Sequence, residues 1–295
     1  MWIRALLWCL ALSLCPTATE LVRDEPLGTQ KGVEVRRWFY RSHRYLVRGL
    51  LFVPPTPAGT RRPVVVFCHD GTSGISREHR LSSLRLAQAG YVVFSPSYRG
   101  EDGSEGMVEV AKGEVDDVLH SLKLFASVPE ADSQRVALVG ASHGALVSVL
   151  AAARNPHIKA VVVAYGVMDI YRWWDYLIAA NKLGSDALTR RTYGRGPQHR
   201  PESFAIRNAI SVAPRLNCPV LVLQGKKDDI VPYQQALYFQ KAMEQAGKRC
   251  QVELYPDCLH GFLVYAPYLS DVEPEERSQT EQSWNTLLRF LEENV

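Results

Sequence analysis

A serine held between two glycines, with an apolar strand before it and an apolar helix after it, constrains this chain more than any other feature. Arg135-Val136-Ala137-Leu138-Val139 reads as a short buried strand, and residues 145–153 read as an apolar helix. Between them stands Gly140-Ala141-Ser142-His143-Gly144. A strand-to-helix turn of this kind is strained and crowded, so it needs glycine at its flanks, and it pushes the serine hydroxyl out at the top of a sheet. The rest of the chain fits that frame. Residues 32–39 and 45–53 read as two alternating strands that open the sheet, and Val64-Val65-Val66-Phe67-Cys68 as a buried strand. Residues 78–89 form an amphipathic helix ended by Gly90, residues 91–94 the next strand, and residues 108–127 one long helix. Strands alternating with helices imply a mostly parallel sheet covered on both faces.

A nucleophilic serine on such a sheet needs an acid and then a histidine further along the chain. Of the eight histidines, His260 alone lies beyond the last acid-bearing strand. It follows the strand at residues 250–255, so it sits on a loop at a strand's carboxyl end, where open α/β sheets place reactive groups. The acid comes from the loop Lys226-Lys227-Asp228-Asp229 after the apolar strand at residues 219–225. The residues alone leave Asp228 and Asp229 both open, with Asp169, after the preceding strand, as a further candidate. The acid would hold the imidazole tautomer and stabilise the imidazolium formed during attack. Glu114, Asp116 and Asp117 read as solvent-facing helix charges, and Arg99 as structural.

With these residues in place the chain resembles the catalytic domain of the prolyl oligopeptidase family, of the α/β-hydrolase superfamily. The resemblance is carried by Gly140-Ala141-Ser142-His143-Gly144, by Gly225-x-x-Asp228-x-x-Val231-Pro232, by His260-Gly261-Phe262 and by Tyr98-Arg99-Gly100. It spans residues 45 to 293 or so. Dienelactone hydrolases are similar too, although they usually carry cysteine where this chain has Ser142. The resemblance implies an α/β-hydrolase fold: a mostly parallel eight-stranded sheet flanked by helices, with a small helical insertion. It also implies that Asp228, not Asp229, is the triad acid. Two departures matter. His69-Asp70-Gly71-Thr72 stands where the family often has His-Gly-Gly, and no tyrosine lies between Asp70 and Gly90 to donate to an oxyanion. Backbone N–H groups are then the expected donors: that of His143, and one from Gly71 or Thr72.

Length and charge narrow the remaining readings. The 295 residues fit one large domain, and a formal charge of +3 with scattered basic residues argues for neither nucleic acid nor a membrane surface. Arg4, an apolar run over residues 5–14 and small residues after it read as a signal peptide over residues 1–19, cut near Ala18 or Thr19, which makes the chain secreted or periplasmic with no stable membrane span expected. Cys68, Cys218, Cys250 and Cys258 remain after cleavage; a Cys218–Cys250 bridge is conceivable, and small buried thiols are the simpler reading. No cluster has metal-ligand spacing, and no cofactor is expected.

Residues 169–215 exceed what a strand-to-strand crossover needs and read as a helical insertion over the carboxyl edge, the rest of residues 20–295 being the hydrolase domain. Trp173, Trp174 and Tyr176 either wall a substrate pocket or pack the insertion onto the sheet. Arg190, Arg191, Arg195 and Arg200 read as a solvated face. A propeller gate does not fit before Val64, so an ungated site is expected. The function that follows is acyl transfer on small ester or peptide substrates: a carboxylesterase on physical grounds, a serine peptidase by the resemblance. The competing class is a non-catalytic binding module on the same fold.

Overall fold

Apolar runs buried on both faces build the centre of the molecule. The computed structural model describes residues 19–184 and 186–295; except for Thr19, the expected leader lies outside them. The strands are β1 (Leu21–Gln30), β2 (Val33–Ser42), β3 (Tyr45–Val53), β4 (Arg62–Cys68), β5 (Val92–Pro96), β6 (Ala131–Ala141), β7 (Ala160–Ala164), β8 (Val220–Gly225) and β9 (Cys250–Tyr255). They form one nine-stranded sheet in the order β1-β2-β3-β5-β4-β6-β7-β8-β9. From β5 to β9 all neighbours are parallel, and β1, β2 and β3 continue the sheet antiparallel at one edge. Every residue of β5, β7 and β8 is buried, the pattern of strands covered by helices on both sides.

The helices are α1 (Arg77–Gln88), α2 (Gly113–Ser121), α3 (His143–Ala152), α4 (Ile170–Ala179), α5 (Ala187–Tyr193), α6 (Pro201–Ala205), α7 (Ala209–Val212), α8 (Gln234–Gln245) and α9 (Pro274–Asn294). Leu84 and Leu86 of α1 and Trp284 and Leu287 of α9 fill the core on one face of the sheet. Val115 and Val118 of α2, the apolar α3, and Phe239 and Met243 of α8 fill the other. The α4–α7 segment carries its own small core of Ile170, Trp174, Tyr193 and Phe204.

Three expectations are corrected. The sheet has nine strands, not eight, because β1 precedes the expected opening pair. Its Asp24, Glu25, Pro26 and Gly28 hide it from pattern reading, yet these are the residues that suit an unpaired edge. It is held by side chains across the pair: Arg36 grips Asp24, and Arg23 lies 3.8 Å over the Phe39 ring. The helix expected over residues 108–127 starts only at Gly113 and passes into a 3-10 turn at Leu122–Ser127. Val110 and Ala111 take left-handed backbone, φ 56 and 53, which no helix tolerates. Glu114 and Asp117 do not face solvent: both are 0% exposed. Asp117 is the buried partner of Arg99, at 2.8 Å, and Tyr40 donates to the Asp117 carbonyl at 3.0 Å. The four cysteines that follow the expected leader are free thiols.

Candidate active site

The sharp turn at Ser142 is enforced by its neighbours. Ser142 adopts φ 48 and ψ −112 between the end of β6 and the start of α3, and its N–H donates to the Ala164 carbonyl at 2.8 Å. A Cβ on Gly140 would lie 2.2 Å from the Gly144 carbonyl oxygen, and one on Gly144 2.0 Å from that of Cys68. Both glycines are therefore required by space, and together they let α3 seat tightly against β4 and β6. A non-glycine residue at positive φ is strained, and such strain persists only where the surroundings over-determine it.

His260 Nε2 lies 3.1 Å from Ser142 Oγ, and its Nδ1 lies 2.8 Å from Asp228 Oδ2. The three side chains thus meet at the carboxyl edge of β6, β8 and β9. Asp228 is fixed from three directions. Its Oδ1 accepts the Ile230 and Val231 N–H groups at 3.0 and 2.8 Å, and its Oδ2 also accepts from the buried Gln224 amide at 3.1 Å. With those bonds made, the carboxylate has Oδ2 aimed at the imidazole and no freedom to turn away. The acid loop and the histidine loop are laced together by Lys226 N–H to the Tyr255 carbonyl, 2.8 Å, and Lys227 N–H to the Cys258 carbonyl, 3.1 Å. Tyr165, fully buried at the end of β7, stacks edge-on against the His260 ring at 4.8 Å. Neither Gln224 nor Tyr165 stands out in the sequence, because each ends an apolar strand without a motif around it.

The other candidate acids are placed elsewhere. Asp229 is exposed and pairs with Lys182 at 2.7 Å. Asp169 caps α4, accepting the Tyr171 and Arg172 N–H groups at 3.1 and 3.2 Å.

On the other side of Ser142 lie His143 and the loop after β4. The His143 N–H belongs to the first turn of α3, where backbone donors have no partner within the helix. Gly71 is exposed and Thr72 half-buried. The loop they belong to is tied down through Asp70, whose Oδ1 accepts from His79 Nε2 at 2.8 Å and from the Tyr265 hydroxyl at 2.6 Å. Burial alone would push the Asp70 carboxyl up, but these two hydrogen bonds outweigh it and hold it below its ordinary value. Asp70 therefore links the Gly71 loop to α1 and to the loop that carries His260.

The insertion sits on the acid loop. Trp173 donates its indole N–H to the Ile230 carbonyl at 3.0 Å, and the Tyr176 hydroxyl donates to the Asp229 carbonyl at 2.6 Å. Trp173, Trp174, Leu177, Leu183, Tyr193 and Ile230 line a cavity of about 400 Å³; Tyr176 stands outside it. Trp174 both lines this cavity and packs edge-on against Phe204 in the core of the insertion. Apolar residues flank the three side chains at the surface: Ile230, two residues after Asp228, is 48% exposed, and Leu259, just before His260, 49%. A hollow of about 500 Å³ between His43, Asp116, His120 and His157 lies at the amino ends of β6 and β7, across the sheet from Ser142.

A parallel sheet with this turn, an acid loop and a histidine loop at its carboxyl edge defines an α/β hydrolase. The chain belongs to the dienelactone hydrolase family, which it matches over residues 47–295. It is 25% identical over 224 residues to the uncharacterized peptidase YtmA of Bacillus subtilis, covering 76% of this chain and 84% of that one. It is 27% identical over 251 residues to the acylamino-acid-releasing enzyme of Mus musculus, 76% of this chain but only 31% of that enzyme. The chain thus spans about a third of such relatives. Among solved structures it superposes on the acylaminoacyl peptidase of Pyrococcus horikoshii with a TM-score of 0.74 at 19% identity, over 90% of this chain and 42% of that one. It superposes on acetyl xylan esterase 1 of Thermoanaerobacterium with a TM-score of 0.68 at 20% identity, over 94% and 89%. Both likenesses drawn from the motifs, to prolyl oligopeptidase-type catalytic domains and to dienelactone hydrolases, hold, and the homologues are hydrolases.

Proposed function

We propose that this protein is an exported serine hydrolase that cleaves esters, and small peptides more slowly, through an acyl-enzyme. The observation that carries the reading is His260 bridging Ser142 Oγ, at 3.1 Å, and Asp228 Oδ2, at 2.8 Å. Asp228 accepts the Nδ1 hydrogen, which leaves Nε2 as the base that faces the hydroxyl. Ser142 Oγ then attacks a carbonyl carbon as His260 takes its proton. The oxyanion is held by the His143 N–H and by one N–H of Gly71 or Thr72. His260 returns the proton to the leaving alcohol or amine, and water releases the acyl group by the same route.

The strained φ of Ser142 supports this reading over a binding module, since a serine that only packs or binds has no need of it. Ile230 and Leu259 suit an apolar group beside the scissile bond, and the cavity behind Trp173 suits its extension. Esters come first because an ester carbonyl is less stabilised by resonance than an amide carbonyl and is attacked more readily. Turnover of p-nitrophenyl acetate and of dipeptide anilides by the wild type and by Ser142→Ala tests this. Ester cleavage lost in Ser142→Ala is expected; rapid anilide turnover with no ester cleavage would reverse the order of substrates.

A further inference from the structure

Val110 and Ala111 lie side by side in left-handed backbone, at φ 56 and 53. A β-branched valine avoids that region, and glycine is its usual occupant. No glycine stands at residues 108–112. Instead, four side chains from elsewhere in the chain take up the backbone groups. Glu114 of α2 accepts the Glu109 and Val110 N–H groups on Oε1, at 2.6 and 3.0 Å, and the Lys112 N–H on Oε2, at 3.1 Å. Arg207, just after α6 in the insertion, donates Nε to the Val110 carbonyl at 2.5 Å and Nη2 to the Glu109 carbonyl at 2.6 Å. Arg191 of α5 donates to the Val108 carbonyl at 2.6 Å. The last group, the Ala111 N–H, donates to His143 Nε2 at 2.9 Å.

That last bond reaches the reaction centre. Because Nε2 accepts, the His143 hydrogen sits on Nδ1, which is sealed from solvent without a well-formed hydrogen bond and has the Gly71 backbone as its polar neighbour. Burial, with the field of His69, pushes the imidazole down to about 4, so the ring is neutral and the tautomer holds. The same ring packs edge-on to Tyr98 at 5.8 Å. Its backbone N–H directly follows Ser142. The His143 side chain therefore stands between the strained loop and the Gly71 loop, so it borders the loop that supplies one assigned oxyanion donor, while its own backbone supplies the other.

We propose that Arg207 is a positioning residue for acyl transfer, acting through the strained loop at residues 109–112 on His143 and so on the oxyanion donors. This rests on the serine-hydrolase reading. Arg207 is 3% exposed and spends its guanidinium on the carbonyls of Glu109 and Val110 and on Ser203, so it has no role in solvent. Strained backbone relaxes when a group that over-determines it is removed. Without Arg207, the Glu109 and Val110 carbonyls lose the guanidinium that holds them, the adjoining Ala111 N–H shifts, and the imidazole that depends on it turns. Arg207 also anchors the insertion, so the seating of the insertion on the sheet and the geometry of the hole are one mechanical unit.

The test is a double-mutant cycle on ester turnover with Arg207→Ala, His143→Leu and their combination, each checked for folding by circular dichroism and thermal midpoint. Arg207→Ala is expected to lower kcat about 10- to 100-fold with KM within about twofold, below the roughly 10²- to 10³-fold loss of a whole oxyanion donor. The double variant is expected to lose little more than His143→Leu alone, because both act on one loop. Arg207→Lys, which cannot bridge two carbonyls with a planar fork, is expected in between and serves if the alanine variant does not fold. Wild-type kcat in a folded Arg207 variant, or losses that multiply in the double variant, overturns the proposal. Ser142→Ala is run alongside: activity that persists there defeats the serine-hydrolase reading itself, whereas activity lost there with Arg207→Ala unaffected defeats only the positioning role.

Discussion

The Trp173 indole N–H and the Ile230 carbonyl, 3.0 Å apart, join the insertion to the acid loop two residues beyond Asp228. Trp173 is thus fastened to the segment that holds Asp228 while it walls the neighbouring cavity. Trp173→Phe keeps the wall and removes the bond. One lost hydrogen bond of this kind costs about 0.5–1.5 kcal/mol. A fall in kcat of a few-fold, with the preference between short and long acyl esters retained, is expected in steady-state assays. Trp173→Ala opens the wall as well and should change that preference; unchanged selectivity separates the cavity from the substrate.

The adjacent aspartates should differ sharply. Asp228→Ala removes the partner of His260 Nδ1 and strands the Ile230 and Val231 N–H groups. A loss of about 10³- to 10⁴-fold in kcat is expected. Asp229→Ala breaks an exposed pair with Lys182 that solvent screens, and kcat should stay within about twofold. Equal losses at both positions, measured on the same ester, would contradict the assignment.

Acid should destabilise the fold in two windows. The His143 imidazole falls from its ordinary 6.5 to about 4 in the folded chain, chiefly through burial. A lowered pKa means that the unfolded chain binds the proton first, so this contribution is complete above about pH 6.5 and is lost as pH falls towards 4. Asp70, held below its ordinary value by His79 and Tyr265, adds a loss below about pH 4. Urea midpoints against pH should decline through the first window in the wild type and less steeply in His143→Gln. They should be flatter below pH 4 in Asp70→Asn.

Gly144→Ala should not be tolerated. The added methyl would lie 2.0 Å from the Cys68 carbonyl oxygen, which is backbone and cannot step aside. Loss of soluble folded protein, or of all ester turnover with a much lowered thermal midpoint, is the expected result.

How far the sequence leads follows from which interactions each feature depends on. The turn at Ser142 is legible because its demands are local: glycine where Gly140 and Gly144 have no room for a side chain, strand before, helix after. His260 is legible from its order in the chain. The choice between Asp228 and Asp229 is not legible from residue type or order, since both leave the same strand. The likeness carried by Gly225-x-x-Asp228-x-x-Val231-Pro232 is what implies Asp228, and what separates the two physically is the Gln224 amide and two backbone N–H groups that close around one carboxylate. β1 escapes because an edge strand can carry Asp24, Pro26 and Gly28 without an apolar face. The loop at residues 109–112 escapes for a deeper reason. Val110 and Ala111 have no local preference for left-handed backbone, and their conformation is imposed by Arg207 and His143, 97 and 32 residues along the chain.

The central claim is that Ser142 is a nucleophile activated by His260, and covalent labelling tests it most directly. Folded protein treated with a fluorophosphonate probe, digested and read by mass spectrometry should carry the adduct on the peptide containing Ser142. The rate should fall at least about 10³-fold in His260→Ala. An unlabelled Ser142 in folded wild-type protein, or an equal labelling rate without His260, would contradict it.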